Sequence, residues 1–452
     1  MDLNKIKKIH LIGIGGIGVS AICRMMLKAG KTVNGSNLSS LGTDELEKLG
    51  AKIFIGHQAS NLTSDVDLVV YSAAVPEDNP ERIRAVQLNI AQLSYPEFLG
   101  ELSKDKFTVA VSGTNGKSTT TAILGLMAGQ LDPTVIVGSK LTEWDGNFRL
   151  GLSKYFIVEA CEWNAHMLNL SPKMIVLTNL EEDHLDYYRD INHITETFQA
   201  YIEKLDKQDL LVINVDDDNL KKLKPRSRVL TYGIKNPADL MAQNIKVGQG
   251  WQEFDLVSQK FNLNAHFKIK IPGIFNVYNF LAAISVAHSL GVPMEEIKNR
   301  GEQFTGIWRR FERINSDKVI ISDYAHTPSA VKGTILAAKE FFPNQRLMVV
   351  FQPHHHNRTK KLFNDFINSF DGADIIIVSE IYDVAGREEE QDSDISSQDL
   401  VKAIKQKYPA KDIYYAVDLN ETTKKVLEFA QPDDVILIMG AGDIYTIVDD
   451  LR

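Results

Sequence analysis

The sequence predicts an α/β protein with two or three domains. Short apolar runs rich in β-branched residues are repeatedly followed by helix-like runs, as expected for strand–helix units around a mostly parallel sheet. Two of these strand-to-helix junctions carry glycine-bearing loops, at residues 13–18 and 112–118. The 452 residues exceed what one hydrophobic core usually organises, which predicts more than one domain.

Composition narrows the class of protein. With 44% hydrophobic and 24% charged residues, the chain has the balance of an ordinary globular protein. The formal net charge of -9 argues against nucleic acid as the main partner. Cys23 and Cys161 are too few for a disulfide framework. No run of 18 apolar residues and no signal-peptide core is present, so we expect a cytoplasmic protein with no membrane or nucleic-acid partner.

The amino-terminal segment has the form of a dinucleotide fingerprint. A strand at residues 8–14 leads through the first glycine loop into a helix at residues 19–29. Glycines at such a junction let the backbone approach a pyrophosphate. A nicotinamide site also needs an acid about 20 residues further on, and residues 33–37 contain none. A pyrophosphate-bearing ligand other than NAD, such as a nucleotide sugar, is favoured, and purely structural glycines are the alternative.

The second glycine loop predicts a triphosphate site. A buried strand at residues 107–111 precedes it and a helix at residues 119–127 follows. Free backbone N–H groups and the helix dipole attract an anion at such a junction. Lys117 can reach the outer phosphates and the Ser118 hydroxyl can bind Mg²⁺. Val111 stands where the usual pattern has glycine. A glycine-rich turn with a solvated lysine is the alternative, but the order of strand, loop, Lys-Ser and helix favours the phosphate site.

Acidic residues follow the next two predicted strands. The strand at residues 155–159 ends in Glu159, and the strand at residues 174–179 leads into an acid-rich segment that contains His184. Ligands bind at the carboxyl ends of such strands. A carboxylate and an imidazole beside a phosphate loop can hold Mg²⁺. Helix caps or surface residues are the alternative. Further on, residues 240–270 alternate as antiparallel strands do, and an alanine-rich helix follows to about residue 290.

The remaining third of the chain again predicts a parallel sheet. Buried strands are expected at residues 347–352, 375–379 and 435–439. The run His354-His355-His356 suggests zinc, but neighbours on an extended segment point to opposite sides and a zinc site needs further ligands. A polar loop at residues 381–388 follows a strand end and is a suitable place for substrate contacts.

Five motifs together resemble the Mur ligases, ATP-dependent amide-forming enzymes that build the peptide stem of bacterial peptidoglycan. They are GTNGKSTTT at residues 113–121, TNLEEDHLDYY at 178–188, GIFNVYNFLAA at 273–283, RRFE at 309–312 and DYAHTP at 323–328. The motifs occur in the family's order and the resemblance covers essentially the whole chain.

The resemblance implies three domains with separate tasks. Residues 1–105 would form a Rossmann-like domain that binds the UDP part of the substrate. Residues 106–310 would form a central P-loop ATPase with a mostly parallel sheet, and residues 311–452 a Rossmann-like carboxyl-terminal domain. ATP and Mg²⁺ are the implied cofactors, and we expect a monomer or a weak homodimer.

The resemblance also implies a set of site residues. The expected contacts of the UDP-linked substrate are Gly13, Gly15, Gly16, Ile17, Gly18, Ser36 and Ser72. Those of ATP are Gly113, Thr114, Asn115, Gly116, Lys117, Ser118, Thr119, Asn276, Asn279, Arg310 and Asp323. Mg²⁺ would be held by Ser118, Glu159 and His184, and the amino acid by Tyr324, His326, His354 and Arg358. The expected catalytic residues are Lys117, Glu159, His184, Arg310 and Asp323.

Within the family, four stretches are most similar to the members that join L-alanine to UDP-N-acetylmuramate through an acyl phosphate. They are GIGGIG at residues 13–18, YSAAVPEDNPE at 71–81, FQPHHHNRT at 351–359 and MGAGDIY at 439–445. Asn115, Ser118 and DYAHTP are instead similar to members that add later stem residues. Many of those members carry a carbamylated lysine near the position of Phe198.

Several alternatives therefore stay open. The chain could attach a preformed peptide to UDP-N-acetylmuramate, as a muropeptide-recycling ligase does, or add a different amino acid. The first glycine loop alone would also suit a dinucleotide oxidoreductase. The second alone would suit a nucleotide-dependent switch without ligase activity.

Overall fold

The computed structural model describes residues 1–40, 42–144, 146–184, 187–314, 318–383 and 395–452. They form two compact units. The first unit contains Met1–Leu180, Thr195–Thr231 and Ala282–Ile297, and the second contains Glu181–Ile194, Tyr232–Leu281 and Lys298–Arg452. Residues 185 and 186 of the acid-rich segment and residues 384–388 of the predicted polar loop lie outside the described residues.

A parallel five-stranded sheet opens the first unit. Its strands are β1 (Lys8–Ile12), β2 (Thr32–Asn37), β3 (Lys52–Ile55), β4 (Leu68–Tyr71) and β5 (Ala91–Ser94), and its helices are α1 (Ile17–Lys28), α2 (Asp44–Lys48), α3 (Pro80–Gln87) and α4 (Tyr95–Lys104). The strand order is β3-β2-β1-β4-β5. The chain therefore winds to one side of β1 and then to the other, and ligands of such sheets bind at this reversal.

A buried carboxylate ties the strands of this sheet to α3. Glu81 and His10 are both fully buried. The Glu81 carboxylate accepts hydrogen bonds from His10 Nε2 (3.1 Å), Ser36 Oγ (2.5 Å), Asn61 Nδ2 (2.6 Å) and the backbone N–H of Gln58 (3.1 Å). Burial alone would raise the pKa of Glu81, but the hydrogen bonds from His10, Ser36 and Asn61 outweigh it and hold the pKa below its usual value.

Replacing Glu81 with glutamine is expected to destabilise the fold in a pH-dependent way. The pKa of Glu81 is lower in the folded chain than the value of about 4.3 typical of an unfolded one. Its contribution to stability is therefore present above that unfolded-state pKa and is lost as pH falls through the folded-state pKa. We expect Glu81→Gln to cost about 3 kcal/mol at pH 7 and the difference from wild type to shrink below about pH 4.

Urea denaturation followed by circular dichroism at pH 7 and pH 4 measures this effect. Glu47→Gln, at an exposed position on α2, is the matched control and should change neither midpoint. A Glu81→Gln midpoint equal to that of wild type at pH 7 would contradict the prediction.

The central part of the chain continues with alternating strands and helices. Its strands are β6 (Phe107–Ser112), β7 (Thr134–Leu141), β8 (Gly146–Arg149), β9 (Tyr155–Glu159), β10 (Met174–Leu177), β11 (Leu210–Asn214) and β12 (Arg228–Gly233), and its helices are α5 (Lys117–Met127) and α6 (Ile191–Ile202). In the first unit β6 lies between β10 and β9 and pairs with both in parallel. The inner apolar residues, 109–111 of β6 and 156–158 of β9, are fully buried, as strands covered on both faces require.

Three antiparallel strands follow in the second unit. They are β13 (Leu240–Gly248), β14 (Trp251–Ser258) and β15 (Leu263–Ile269). Buried and partly exposed residues alternate along β14, which confirms the antiparallel strands that the alternation at residues 240–270 predicted. Two helices come next along the chain, α7 (Ile274–Ser289) and α8 (Met294–Gln303).

A further predominantly parallel sheet occupies the carboxyl-terminal part of the second unit. Its strands are β16 (Glu312–Ile314), β17 (Val319–Asp323), β18 (Leu347–Phe351), β19 (Ile375–Ser379), β20 (Asp412–Ala416) and β21 (Val435–Met439), in the order β16-β17-β21-β18-β19-β20. The helices are α9 (Pro328–Phe341), α10 (His356–Lys361), α11 (Phe363–Ile367), α12 (Ser397–Lys407), α13 (Leu419–Phe429) and α14 (Val448–Leu451).

Alternate residues of this sheet enter two separate cores. Val349, Phe351 and Leu437 belong to one cluster, whereas Met348 and Ile436 belong to the other. Only β16 is antiparallel to its neighbour. The predicted α/β class with mostly parallel sheets is confirmed. Among the described helices, none has both the length and the apolar character that crossing a bilayer requires.

Candidate functional site

The second glycine loop forms the predicted junction between β6 and α5. Gly113 has φ of +128° and Gly116 has φ of +85°, backbone conformations that favour glycine. A side chain on Gly113 would collide with Thr178 Oγ1. Asn179 holds the loop from the next strand end, because its backbone oxygen accepts from Thr114 N–H (3.0 Å) and its side-chain oxygen from Asn115 N–H (2.9 Å).

Lys117 lies folded over this loop. Its Nζ donates to the backbone oxygens of Gly113 (2.7 Å) and Thr114 (2.9 Å) and to Glu162 Oε1 (2.8 Å). Burial would lower the pKa of Lys117, but the negative charge of Glu162, with a further contribution from Glu159, raises it above its usual value. The ammonium group therefore keeps its charge. Glu162 is not among the predicted site residues, although an acid three residues after Glu159 is a visible signal in the sequence.

Glu159 ends β9 on the same unit. Its Oε2 accepts from the backbone N–H of Gly138 (2.7 Å), and a Cβ on Gly138 would lie 2.6 Å from that oxygen. Ser118 is buried in the first turn of α5. The oxygen donors of Ser118 and Glu159 fit Mg²⁺, which prefers such hard ligands, whereas the imidazole of His184 is a less usual ligand for this ion.

The first glycine loop lies between β1 and α1 with both predicted serines beside it. Gly13 has φ of +77° and donates its N–H to the Ser36 backbone oxygen (2.8 Å). A Cβ on Gly13 would meet Ser72 Cβ at 3.1 Å. Asn37, at the place where a nicotinamide site has an acid, accepts from Gly15 N–H (3.3 Å). The structure thus brings the predicted residues together where the strand order reverses.

Ser36 is part of a polar chain that sequence reasoning did not find. Its hydroxyl donates to Glu81, since a carboxylate oxygen only accepts. The same Oγ lies 2.8 Å from His57 Nδ1, so His57 Nδ1 carries the proton that it donates to Ser36. His57 follows β3 and Glu81 lies on α3, and no local pattern links either residue to Ser36.

The second unit gathers the four residues predicted to bind the amino acid. The ring centroids of Tyr324 and His326 lie 5.2 Å apart, and those of His326 and His354 lie 6.0 Å apart. Arg358 Nη1 lies 3.1 Å from His354 Nδ1. Because a guanidinium only donates, His354 Nδ1 accepts and its proton is on Nε2. Burial, with the nearby charges, lowers the pKa of His354 to about 2, so the ring stays neutral.

Asp183 is the anion at the centre of these residues. Its Oδ1 accepts from Arg358 Nη2 (2.6 Å), and its Oδ2 lies 3.8 Å from His326 Nε2 and 4.0 Å from His184 Nε2. Burial opposes ionisation, but Arg358 and His184 hold the pKa of Asp183 well below its usual value. Asp183 lies in the motif at residues 178–188, but only its neighbour His184 is among the predicted site residues.

Two of the three consecutive histidines share one partner. His354 pairs with Arg358, whereas His356 Nδ1 donates to Asp383 Oδ2 (2.5 Å) and His355 Nδ1 lies 3.6 Å from Asp383 Oδ1. The expected alternation of neighbouring side chains is therefore wrong here: His355 and His356 share Asp383, and the ring centroids of His354 and His355 lie 4.2 Å apart. The segment is not extended at this point, because His355 has φ of +67° and α10 begins at His356.

Arg310 and Asp323 have structural partners within the second unit. Asp323 accepts from the backbone N–H groups of Phe311 (2.6 Å) and Ala325 (2.7 Å), and its burial raises its pKa. The Arg310 guanidinium lies 4.5 Å from the ring centroid of Tyr324. Arg310 therefore lies beside Tyr324, a predicted amino-acid contact, and Asp323 supports the backbone on both sides of it.

The two predicted asparagines lie on the first turns of α7. Asn276 Nδ2 donates to the Pro272 backbone oxygen (2.6 Å), and Asn279 Nδ2 donates to Asn276 Oδ1 (2.9 Å). Both side chains are buried, and the Asn276 amide orients the Asn279 amide.

Comparisons with known proteins point to one family. Three family descriptions match successive parts of the chain: the Mur ligase family catalytic domain at residues 8–107, the Mur ligase middle domain at residues 111–287, and the Mur ligase glutamate ligase domain at residues 309–442. A UDP-N-acetylmuramate–L-alanine ligase from Alkaliphilus metalliredigens is 40% identical over 460 residues, which cover 100% of this chain and 98% of the relative.

Solved structures agree with this result. A UDP-N-acetylmuramate–alanine ligase from Thermotoga maritima superimposes with a TM-score of 0.82 at 29% identity, covering 98% of this chain and 97% of that one. A murein peptide ligase from Psychrobacter arcticus has a TM-score of 0.72 at 23% identity, covering 98% of each chain, and shows likeness of fold. With a relative of 40% identity along its whole length, this chain belongs to the Mur ligase family.

Proposed function

We propose that this chain is an ATP-dependent ligase that joins L-alanine to the carboxylate of UDP-N-acetylmuramate. The observation that carries the proposal is the 40% identity along the full chain to a UDP-N-acetylmuramate–L-alanine ligase. The glycine loop that carries Lys117 and the cluster around Arg358 supply the two kinds of anion site that such a reaction needs.

The reaction proceeds in two steps. A carboxylate does not react with an amine at neutral pH because oxide is too poor a leaving group. One carboxylate oxygen therefore attacks the γ-phosphorus of ATP, which forms an acyl phosphate and releases ADP. The neutral amine of alanine then attacks the carbonyl carbon, and the tetrahedral intermediate loses phosphate from carbon and a proton from nitrogen to leave the amide. Each step moves negative charge between oxygens, so fixed positive charge is the main requirement.

Lys117 and the loop around it provide that charge in the first step. The ammonium that now contacts two loop carbonyls and Glu162 would turn to the phosphates of ATP. Ser118 and Glu159 would hold Mg²⁺, with His184 as the third predicted ligand. The ion would supply further positive charge to the transferring phosphoryl group.

The residues around Arg358 serve the second step. The Arg358 guanidinium and the Nε2–H of neutral His354 are donors suited to a carboxylate, and alanine carries one. Tyr324 and His326 complete this predicted contact set. Asn276, Asn279, Arg310 and Asp323 keep their predicted roles toward ATP.

The predicted division into three domains is part of the proposal. Residues 1–105 would bind the UDP part through the first glycine loop, Ser36 and Ser72. Residues 106–310 would bind ATP, and residues 311–452 would help to bind ATP and alanine. Because its substrates are cytoplasmic metabolites, the ligase would act in the cytoplasm.

Phosphate release from the purified protein tests the proposal. With ATP, Mg²⁺ and UDP-N-acetylmuramate present, addition of L-alanine is expected to give the fastest release, above glycine, L-serine and D-glutamate. Omission of the UDP-linked substrate is the control and should abolish release.

A different order of phosphate-release rates among the acceptors would favour one of the alternative functions. Faster release with a stem tripeptide than with any single amino acid would indicate a recycling ligase. Faster release with D-glutamate would indicate a member that adds a later residue. No release with any acceptor would contradict ligase activity.

A further inference from the structure

Tyr95, the first residue of α4, lies against the first glycine loop. A Cβ built on Gly18 would lie 2.7 Å from Tyr95 Cζ and 2.9 Å from Cε2. Both distances are shorter than any ordinary van der Waals contact, so the ring packs directly on the Gly18 backbone. Cζ carries the phenolic oxygen, and the hydroxyl end of Tyr95 therefore lies at the start of α1.

The start of α1 is also linked to the acidic end of β9. Asn147 Nδ2 donates to the backbone oxygens of Ile17 (2.7 Å) and Val137 (3.3 Å), and the next residue, Gly138, donates its N–H to Glu159 Oε2 (2.7 Å). Burial raises the pKa of Tyr95, and the negative charge of Glu159 raises it further. The phenol is therefore protonated at neutral pH and offers an O–H donor. All of these residues belong to the first unit, so the glycine loop on which Tyr95 packs is linked to the predicted metal ligand.

The proposed substrate spans the first glycine loop and the end of β9, and its lactyl carboxylate must lie between the diphosphate and Glu159. In the proposed function, the first glycine loop grips the UDP end, and the carboxylate is phosphorylated beside Glu159. We propose that the Tyr95 hydroxyl donates a hydrogen bond to the lactyl carboxylate of UDP-N-acetylmuramate and so positions it for phosphorylation. This inference rests on the proposed function and adds a substrate contact to it.

The hydrogen bond has a chemical purpose. A neutral donor holds one carboxylate oxygen while the other attacks phosphorus, and it does so without the charge of a second lysine that would weaken the nucleophile. A phenol on a ring packed against Gly18 also has few rotamers to lose, which favours a fixed geometry.

Binding measurements with two nucleotide sugars test the inference. UDP-N-acetylglucosamine has the diphosphate and the sugar but lacks the lactyl carboxylate. Tyr95→Phe keeps the ring on Gly18 and removes only the hydroxyl. By titration calorimetry, we expect this variant to bind UDP-N-acetylmuramate about tenfold more weakly and UDP-N-acetylglucosamine as wild type does.

Tyr155→Phe is the matched control. Tyr155 begins β9, at the other end from Glu159, and its ring packs edge-on against Phe107 with centroids 5.5 Å apart. This variant should bind both sugars normally. In steady-state assays, Tyr95→Phe should raise the KM for UDP-N-acetylmuramate and leave the KM for ATP unchanged.

Each other outcome is decisive. Equal weakening for both sugars would place the hydroxyl on the diphosphate and overturn the carboxylate contact. Unchanged affinity for both would overturn any contact with substrate. If wild type itself failed to bind UDP-N-acetylmuramate, the proposed function would fall, and this inference with it. If wild type bound and Tyr95→Phe did not differ, the inference alone would fall.

Discussion

Lys117→Ala is expected to lower the rate of ADP release by about a thousandfold, the largest effect we predict for a single residue. The substitution removes the one side-chain charge on the loop that faces the phosphates in the proposed reaction. It also leaves Glu162 without the ammonium that lies 2.8 Å from it, and an added negative charge near a triphosphate opposes binding. The measurement is single-turnover ADP release with saturating ATP.

Two comparisons separate this effect from general damage to the fold. Lys106 donates to the Ser153 backbone oxygen (3.0 Å) just before β6 begins, so Lys106→Ala tests the loss of a lysine away from the loop. Its turnover should stay within a few-fold of wild type. Glu162→Gln keeps Lys117 and should reduce turnover much less than Lys117→Ala. Turnover of Lys117→Ala within tenfold of wild type would contradict the assigned role.

The second large effect is expected at the buried ion pair of Asp183 and Arg358. The two side chains are 7% and 11% exposed, and Arg358 Nη2 lies 2.6 Å from Asp183 Oδ1. Breaking a buried pair by removing one partner costs about 3–5 kcal/mol, because the remaining charge stays buried without compensation. Asp183→Asn is therefore expected to lower the stability of the second unit by about 3 kcal/mol and to abolish detectable ligase activity.

A double variant distinguishes stability from function at this site. Arg358→Met removes the charge that Asp183→Asn leaves behind, so Asp183→Asn with Arg358→Met should regain much of the lost stability. It should regain no activity, because the predicted partner of the alanine carboxylate is absent. Urea denaturation of the two single variants and the double variant gives the coupling free energy between Asp183 and Arg358. Strictly additive losses, or a double variant with restored turnover, would contradict this interpretation.

Sequence patterns were sufficient to predict the elements whose structure depends on residues that are close together in the chain. The strands at residues 155–159, 375–379 and 435–439 have the predicted bounds, because runs of buried β-branched residues have few other ways to satisfy their backbone. The loop before Lys117 was also predictable, since glycines at positive φ and a following helix are local requirements. Local signals also mark the start of α3, which Asn79 caps and Pro80 begins.

What the chain's linear order by itself determined about this protein is therefore its α/β class, most of its strands, both glycine loops and, through several motifs, its resemblance to a family. Only the tertiary structure decided which distant residues are partners. Glu162 pairs with Lys117, Asp183 pairs with Arg358, Glu81 accepts from Ser36, and the Tyr95 ring packs on Gly18. Lys117 and Glu162 are 45 positions apart, and Asp183 and Arg358 are 175. The physical reason is that charge pairing and ring packing act through space, and periodicity along a chain carries no record of which distant side chains will meet.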